Sequence, residues 1–142
     1  MLIWLGCPNC FNKEAQDFNY GKEFTEETMQ QLIELSRPDW VVGISLLGGE
    51  PLHPRNRRDV LDLVKKFKMQ YPEKTVWLWT GYLWEDVASD LINSGVDVVV
   101  DGRFVEDLKD LRLKYRGSSN QRIILVQESL ATNKVICLPE NC

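Results

Sequence analysis

Short apolar runs alternate with stretches of helical spacing along this chain, and this alternation restricts its fold more than any other feature. The nearly continuous apolar run at residues 40–47 predicts a strand buried on both faces of a parallel sheet. Residues 75–80 (TVWLWT) are β-branched and aromatic, which favours a second strand. Further strands are predicted at residues 2–5, 96–100 and 123–126. Strands separated by helices favour right-handed βαβ units, so we predict an α/β fold with a mostly parallel sheet of repeated βα units.

The helical segments between these strands carry their own start and stop signals. Thr25 is a candidate N-cap, and Glu26 and Glu27 suit the positive end of a helix dipole. Pro38 ends this first helix, and Gly95 is a natural C-terminal cap for a later one. Helices are also predicted at about 60–71 and 84–91, with a short charged helix at 105–111. The tail from Gln127 has no clear period, so we predict no regular structure there.

The bulk properties of the chain favour a single cytoplasmic domain. Its 142 residues suffice for one domain with one core, so we treat residues 1–142 as a single unit. A net charge of −4 argues against a dedicated nucleic-acid binder, which would need a cationic face. No apolar run is long enough to cross a bilayer. No basic segment precedes the apolar start, which argues against a signal peptide.

Four unusual loops each follow a predicted strand: CPNC, GGEP, TGY and DGR. The carboxyl ends of parallel strands share one edge of a sheet, and ligands bind there. We therefore expect these four loops to meet at that edge, which we call the rim.

Cys7 and Cys10 form a Cys-x-x-Cys pair in the first of these loops. The spacing lets one tight turn present two thiolates to an iron or zinc centre. A thioredoxin-type redox pair and two structural thiols are the alternatives. Cys137 and Cys142 lie in the tail, where we expect reduced thiols without a role or, alternatively, a ligand contributed from the C-terminus.

The remaining rim candidates are backbone and polar groups at strand ends. Gly48 and Gly49 allow close approach of the backbone to a ligand, and Glu50 adds a carboxylate able to bind an ammonium group. A tight turn with a solvated glutamate is the alternative. Tyr82 ends the TGY loop, and Asp101 could bind a hydroxyl group or cap the next helix. We expect Trp77 and Trp79 to be core residues because they alternate within a strand, and His53 to be solvated because it follows a loop.

Several segments, in order, resemble one family. They are CPNCFN, LGGEPL, VWLWTGY, VDGRF and RGSSNQR. In this combination they resemble the activating enzymes of class III (anaerobic) ribonucleoside-triphosphate reductase, which are small radical S-adenosylmethionine enzymes. The resemblance covers roughly residues 2–124 and implies a partial barrel of the radical S-adenosylmethionine type.

The resemblance also implies a reaction. A Cys-x3-Cys-x2-Cys loop holds three irons of a [4Fe–4S] cluster, and the fourth iron binds S-adenosylmethionine. One electron from the cluster breaks a sulfonium–carbon bond, and the resulting 5′-deoxyadenosyl radical takes a hydrogen atom from a glycine of the large reductase subunit. An electron donor such as a flavodoxin is implied.

Particular residues of this chain match the family's site. Gly48, Gly49 and Glu50 would hold the methionine amino group, and Asn12 follows the cluster loop. Tyr82, Asp101 and residues 120–122 would line the rim.

This sequence departs from the family at the cluster loop, where it has two cysteines rather than three. Cys10, followed by an aromatic residue and Asn12, matches the third cysteine. Cys7 matches the second if its spacing to Cys10 is kept, and the first then falls at Ile3. Cys7 matches the first if the opening strand is kept, and four residues are then lost. The departure leaves two alternatives to the activase: a cluster-deficient homologue that binds the reductase, and a zinc or redox protein that uses the cysteine pair.

Overall fold

The computed structural model describes Glu14 and residues 21–142. The predicted strand at residues 2–5 and the predicted site residues Cys7, Cys10 and Asn12 lie outside the described residues.

A four-stranded sheet forms the centre of the described chain. Its strands are β1 (Gly43–Leu46), β2 (Thr75–Trp79), β3 (Val98–Asp101) and β4 (Arg122–Leu125), in the spatial order β1-β2-β3-β4. β1, β2 and β3 are parallel neighbours, whereas β4 runs antiparallel to β3. The predicted α/β class and mostly parallel sheet are confirmed. The described strands form an open sheet and do not by themselves establish a barrel.

Helices connect the strands much as the sequence predicts. They are α1 (Glu26–Leu35), α2 (Arg57–Gln70), α3 (Trp84–Val87) and α4 (Val126–Thr132). Thr25 caps α1 as predicted, because its Oγ1 accepts a hydrogen bond from the Thr28 amide at 3.3 Å. The third predicted helix continues beyond α3 as a 3-10 turn at Ala88–Leu91. No helix in the described part of the chain is both long and apolar enough to span a membrane.

The two faces of the sheet are packed differently. One face carries the main core, where Val76, Leu78 and Val99 pack against Val64 and Phe67 of α2. On the opposite face Val98, Val100 and Ile123 form a smaller cluster, and the partly buried Trp77 and Trp79 pack against it. The two tryptophans therefore lie in the fold's second apolar layer, in agreement with the prediction that they are core residues.

Three expectations about individual segments were wrong. The run at 40–47 is not buried on both faces: Trp40 and Val42 precede β1 and are 81% and 78% exposed, and no residue of β1 itself is fully buried. The helix predicted at 105–111 is only a 3-10 turn at Glu106–Leu108. The tail is more regular than its sequence pattern, since α4 and an antiparallel return against β4 both lie within it.

Lys74 is a buried cation whose place in the core no sequence pattern predicted. Its ammonium group donates to the carbonyl oxygens of Ser36 at 2.6 Å and Pro38 at 2.9 Å, just beyond the C-terminus of α1. Those carbonyl groups carry the negative end of the helix dipole, so the lysine stabilises this helix end and fixes α1 next to β2. The side chain also lies over the ring of Tyr71, at 4.9 Å from its centroid.

Candidate functional site

Three of the four predicted loops meet at the carboxyl ends of β1, β2 and β3. A hydrogen bond of 2.8 Å joins the Gly81 amide to Glu50, and another of 2.9 Å joins the Gly102 amide to the Tyr82 carbonyl oxygen. Because β4 is antiparallel, it begins at this rim, and the loop before it (residues 116–121) joins the site. The predicted convergence is therefore confirmed for GGEP, TGY and DGR, and the CPNC loop lies outside the described residues.

Gly48 and Gly49 give the rim an exposed stretch of backbone. Both have positive φ angles, +86° and +53°, which L side chains rarely adopt. Both residues are exposed, and no donor in the described part of the chain reaches either carbonyl oxygen. With respect to the described residues these carbonyl oxygens are open acceptors, and acceptors are what an ammonium group requires.

Glu50 is buried, unlike the two exposed glycines that precede it. It is only 1% exposed, and its carboxylate accepts hydrogen bonds from the Leu52 amide, the Thr80 hydroxyl group and the Gly81 amide. Burial raises the pKa of Glu50 and the three neutral donors oppose that rise. Since its oxygens are used within the protein, Glu50 ties the GGEP loop to the TGY loop, and the solvated-glutamate alternative is wrong.

A cleft of about 430 Å³ opens at the rim beyond β2 and β3. Gly81 and Gly102 line it without side chains, and Tyr82 and Asn120 line it with an aromatic and an amide residue. The complete lining is Gly81, Tyr82, Leu83, Asp86, Gly102, Arg103 and Asn120. The cleft combines an aromatic ring, hydrogen-bonding groups and side-chain-free backbone in a volume suited to a small molecule.

Asp101 is fully buried behind this cleft. Its Oδ2 accepts a hydrogen bond of 2.8 Å from the amide of Trp84, the first residue of α3. Its Oδ1 accepts from the side chain of Arg122 at 3.1 Å. Asp101 therefore accepts from the first residue of a helix that precedes it, and the prediction that it caps the next helix is wrong.

Gln121 is a site residue whose individual role the sequence did not reveal. Its side chain is 9% exposed, donates to the Gly102 carbonyl oxygen at 2.9 Å and accepts from the Gly117 amide at 2.8 Å. It thereby fastens the loop at 116–121 to the end of β3. Asn120 lies beside it but faces the cleft, with its amide nitrogen 2.8 Å from the Arg103 carbonyl oxygen.

The tail cysteines correct an expectation. Cys137 and Cys142 were expected to be reduced, but a disulfide joins them, with their Cα atoms 5.6 Å apart. The physical reason is the return of the tail against β4: Leu138 and Asn141 exchange backbone hydrogen bonds with Ile123, which brings both ends of the short loop together. Both sulfur atoms are used by this bond, so neither is available here as an iron ligand. Among the described residues, no group of three or more potential ligands is placed to hold a metal ion.

Comparison with known proteins identifies the family to which these loops belong. A family model described as a 4Fe-4S single cluster domain matches residues 4–124. A protein of Escherichia coli (strain K12), named anaerobic ribonucleoside-triphosphate reductase-activating protein, is 44% identical over 123 residues, covering 81% of this chain and 77% of the relative. The chain belongs to the family of anaerobic ribonucleoside-triphosphate reductase-activating proteins.

Other members of this activating-protein family come from a phage and from a second bacterium. Enterobacteria phage T4 has a relative of the same name that is 38% identical over 117 residues, covering 82% of this chain and 74% of the relative. The relative from Pasteurella multocida (strain Pm70) is 37% identical over 123 residues, covering 82% and 78%. No solved structure matches the chain. The resemblance found in the sequence segments is thus confirmed.

Proposed function

We propose that this protein activates an anaerobic ribonucleotide reductase by generating a glycyl radical on its large subunit. Its relatives bear the name of that activity, and the matched family model is that of a 4Fe-4S domain. When bound, a [4Fe–4S] cluster and S-adenosylmethionine would supply the electron and the carbon radical. A partial radical S-adenosylmethionine barrel and a low-potential donor such as a flavodoxin belong to the same proposal.

The observation that supports this proposal best is the exposed, positive-φ backbone of Gly48 and Gly49. S-adenosylmethionine carries an ammonium group, and two exposed carbonyl oxygens to which no described residue donates are suited to accept from it. In this proposal the glycines contact the ligand, whereas the buried Glu50 holds them in place and adds negative charge behind them. Binding of the ammonium group, first considered for the Glu50 carboxylate, is therefore proposed for the backbone of the two neighbouring glycines.

The adjoining cleft supports the proposal independently. Its ring, amide and carboxylate groups lie on the same rim as the two glycines, joined to them through the bond between Glu50 and Gly81. Tyr82 is one of the lining residues, as proposed. Asp101 does not line the cleft and would act through its neighbours. Cys7 and Cys10 are proposed iron ligands, with Asn12 next to them.

The decisive experiment is anaerobic reconstitution with iron and sulfide, followed by reduction and addition of S-adenosylmethionine. We expect cluster absorbance and release of 5′-deoxyadenosine, measured by mass spectrometry, and a glycyl radical signal once the reductase is added. Cys10→Ser should abolish product, and Cys137→Ser, which changes a cysteine far along the chain, should not. Absence of both cluster and product in the native protein would overturn the catalytic proposal.

A second candidate function is favoured by the cluster loop itself, which has two cysteines where the family has three. A [4Fe–4S] cluster that keeps one iron open needs three protein thiolates. The protein would then be a cluster-deficient homologue that binds the reductase. Titration of the reductase large subunit with the iron-free protein separates the two: this candidate requires tight binding without cluster, and equal affinity for Cys10→Ser.

A further inference from the structure

The carboxylate of Asp101 joins three separate segments behind the rim. Asp101 ends β3, its Oδ2 accepts from the Trp84 amide at the start of α3, and its Oδ1 accepts from the Arg122 amide and Nε, at 3.3 and 3.1 Å. A further hydrogen bond links Arg122 Nη2 to the same carboxylate. A fully buried carboxylate with this many donors is fixed in position, and so are the segments that donate to it.

Arg122 extends the same connection to the surface of α3. Its two terminal nitrogens bind both oxygens of Glu85, at 3.1 and 2.9 Å, so this arginine is shared by two carboxylates. Hydrogen bonding to Arg122 lowers the pKa of Glu85. The pKa of Arg122 is in turn raised, first by its bonds to Asp101 and then by those to Glu85. The guanidinium group thus holds α3 at two points, directly and through Asp101.

These three charged residues lie next to the cleft but do not line it. The cleft is lined instead by their neighbours in sequence: Leu83 and Asp86 from the start of α3, and Gly102 from the end of β3. A shift of α3 relative to β3 would therefore change the width of the cleft without changing any lining residue.

We infer that Asp101 and Arg122 are positioning residues that set the width of the rim cleft, with Glu85 as a weaker outer support. This inference rests on the proposed function for the identity of the ligand, S-adenosylmethionine. It assigns Asp101 a place behind the ligand rather than a contact with one of its hydroxyl groups. Arginine suits this role because its planar group spans two carboxylates, which a lysine cannot do with the same geometry.

The test compares Arg122→Lys, Asp101→Asn and Glu85→Gln with the native protein. Arg37→Lys is the matched control, since Arg37 pairs with Glu34 on α1, at the surface. Amide hydrogen exchange is measured on the reconstituted protein, and so is equilibrium binding of S-adenosylmethionine. We expect Arg122→Lys to weaken binding about tenfold and to speed exchange at residues 82–86 and 102, because small displacements in a binding site are costly. Glu85→Gln should have a smaller effect, and Arg37→Lys none.

Three outcomes would overturn the inference. Unchanged exchange at residues 82–86 in Arg122→Lys shows that the arginine does not hold this wall. Equally faster exchange in the buried strands, at Leu78 and Val99, shows a general loss of stability instead. Ribose-deoxy analogues of the ligand provide the third: if Asp101→Asn alone abolishes the preference for the hydroxylated ligand, Asp101 contacts it directly. Failure of the native protein to bind S-adenosylmethionine contradicts the proposed function, and hydrogen exchange then decides the positioning role.

Discussion

The rim is held by two buried carboxylates whose charges are compensated in different ways. Glu50 is 1% exposed, and the donors to its carboxylate among the described residues are neutral, two backbone amides and one hydroxyl group, with His53 exerting only the smallest, coulombic effect on its pKa. Asp101 is 0% exposed and has the full positive charge of Arg122 against it. Hydrogen bonds to neutral groups offset only part of the cost of burying a charge, whereas a guanidinium group offsets more but is itself costly to leave alone. The stability of the protein should therefore change differently with mutation and with pH at the Glu50 end of the rim and at the Asp101 end.

Removing the acid from the charge-paired end should have the largest effect. Asp101→Ala leaves the guanidinium group of Arg122 with only Glu85, and the Trp84 amide without its acceptor. Breaking a buried pair on one side typically costs about 3–5 kcal/mol, so we expect the free energy of unfolding to fall by that amount. Urea unfolding at neutral pH measures it, with the exposed Glu34→Ala as control. A loss below about 1 kcal/mol would show that Asp101 is not needed to hold this end.

Changing the acid at the neutral end should cost less. Glu50→Gln keeps the shape but turns one acceptor oxygen into an NH₂ donor, which then faces the Gly81 amide or the Thr80 hydroxyl group. We expect a loss of about 2–3 kcal/mol, typical of a buried polar group left unsatisfied. The same unfolding experiment measures it. A loss equal to that of Asp101→Ala would mean that neutral donors and a guanidinium group stabilise the two buried carboxylates equally.

Removing a single donor from Glu50 should have a smaller effect still. Thr80→Val deletes the hydroxyl group that lies 2.7 Å from Glu50 Oε1, while the two backbone donors remain. We expect a loss of about 1–2 kcal/mol because the hydrogen bond is made to a charged acceptor. If Glu50→Gln/Thr80→Val is no less stable than Glu50→Gln, the two changes act on the same interaction. Full additivity in this double mutant would argue that the hydroxyl group acts mainly through the Tyr82 amide, which donates to it at 3.2 Å.

The smallest and most diagnostic difference should lie in the pH dependence. Glu50 has a raised pKa, so its contribution to stability is present below its ordinary value of 4.5 and is lost as the pH rises through the folded pKa. Glu85 has a lowered pKa, so its contribution is present above 4.5 and is lost as the pH falls through the folded pKa. The advantage of the native protein over Glu50→Gln should thus shrink with rising pH, and that over Glu85→Gln with falling pH. Thermal unfolding from pH 3 to pH 8 measures both stability differences. We expect them to change with pH in opposite directions, and a change in the same direction would contradict the distinction between the two residues.

The order of elements was predictable from the sequence because it depends on local patterns. Thr25 caps its helix by contacts within three residues, and the β-branched run at 75–80 becomes β2. The direction of β4 was not predictable, since its short, mainly apolar sequence has the same pattern in a parallel or an antiparallel strand. The disulfide between Cys137 and Cys142 depends on that direction too, because the tail returns along β4.

The site was predicted in its location better than in its roles. The positions of Gly48, Gly49 and Tyr82 follow from strand ends, which periodicity reveals. Whether a carboxylate faces a ligand or the protein depends on donors far along the chain, 30 residues away for Thr80 with Glu50. No local pattern carries that information, and the same is true of Asp101, whose partner Arg122 is 21 residues away.

The return of the tail along β4 has a practical consequence for handling this protein. Asn141 bonds to Ile123, and the Glu140 carbonyl oxygen lies 3.3 Å from Arg116, in the loop that leads into the rim. Anything attached after Cys142, an affinity tag included, would therefore leave the fold beside the loop at 116–121, which joins the rim where the ligand is proposed to bind. Binding measurements made with such an extension could report its steric effect instead of the properties of the site.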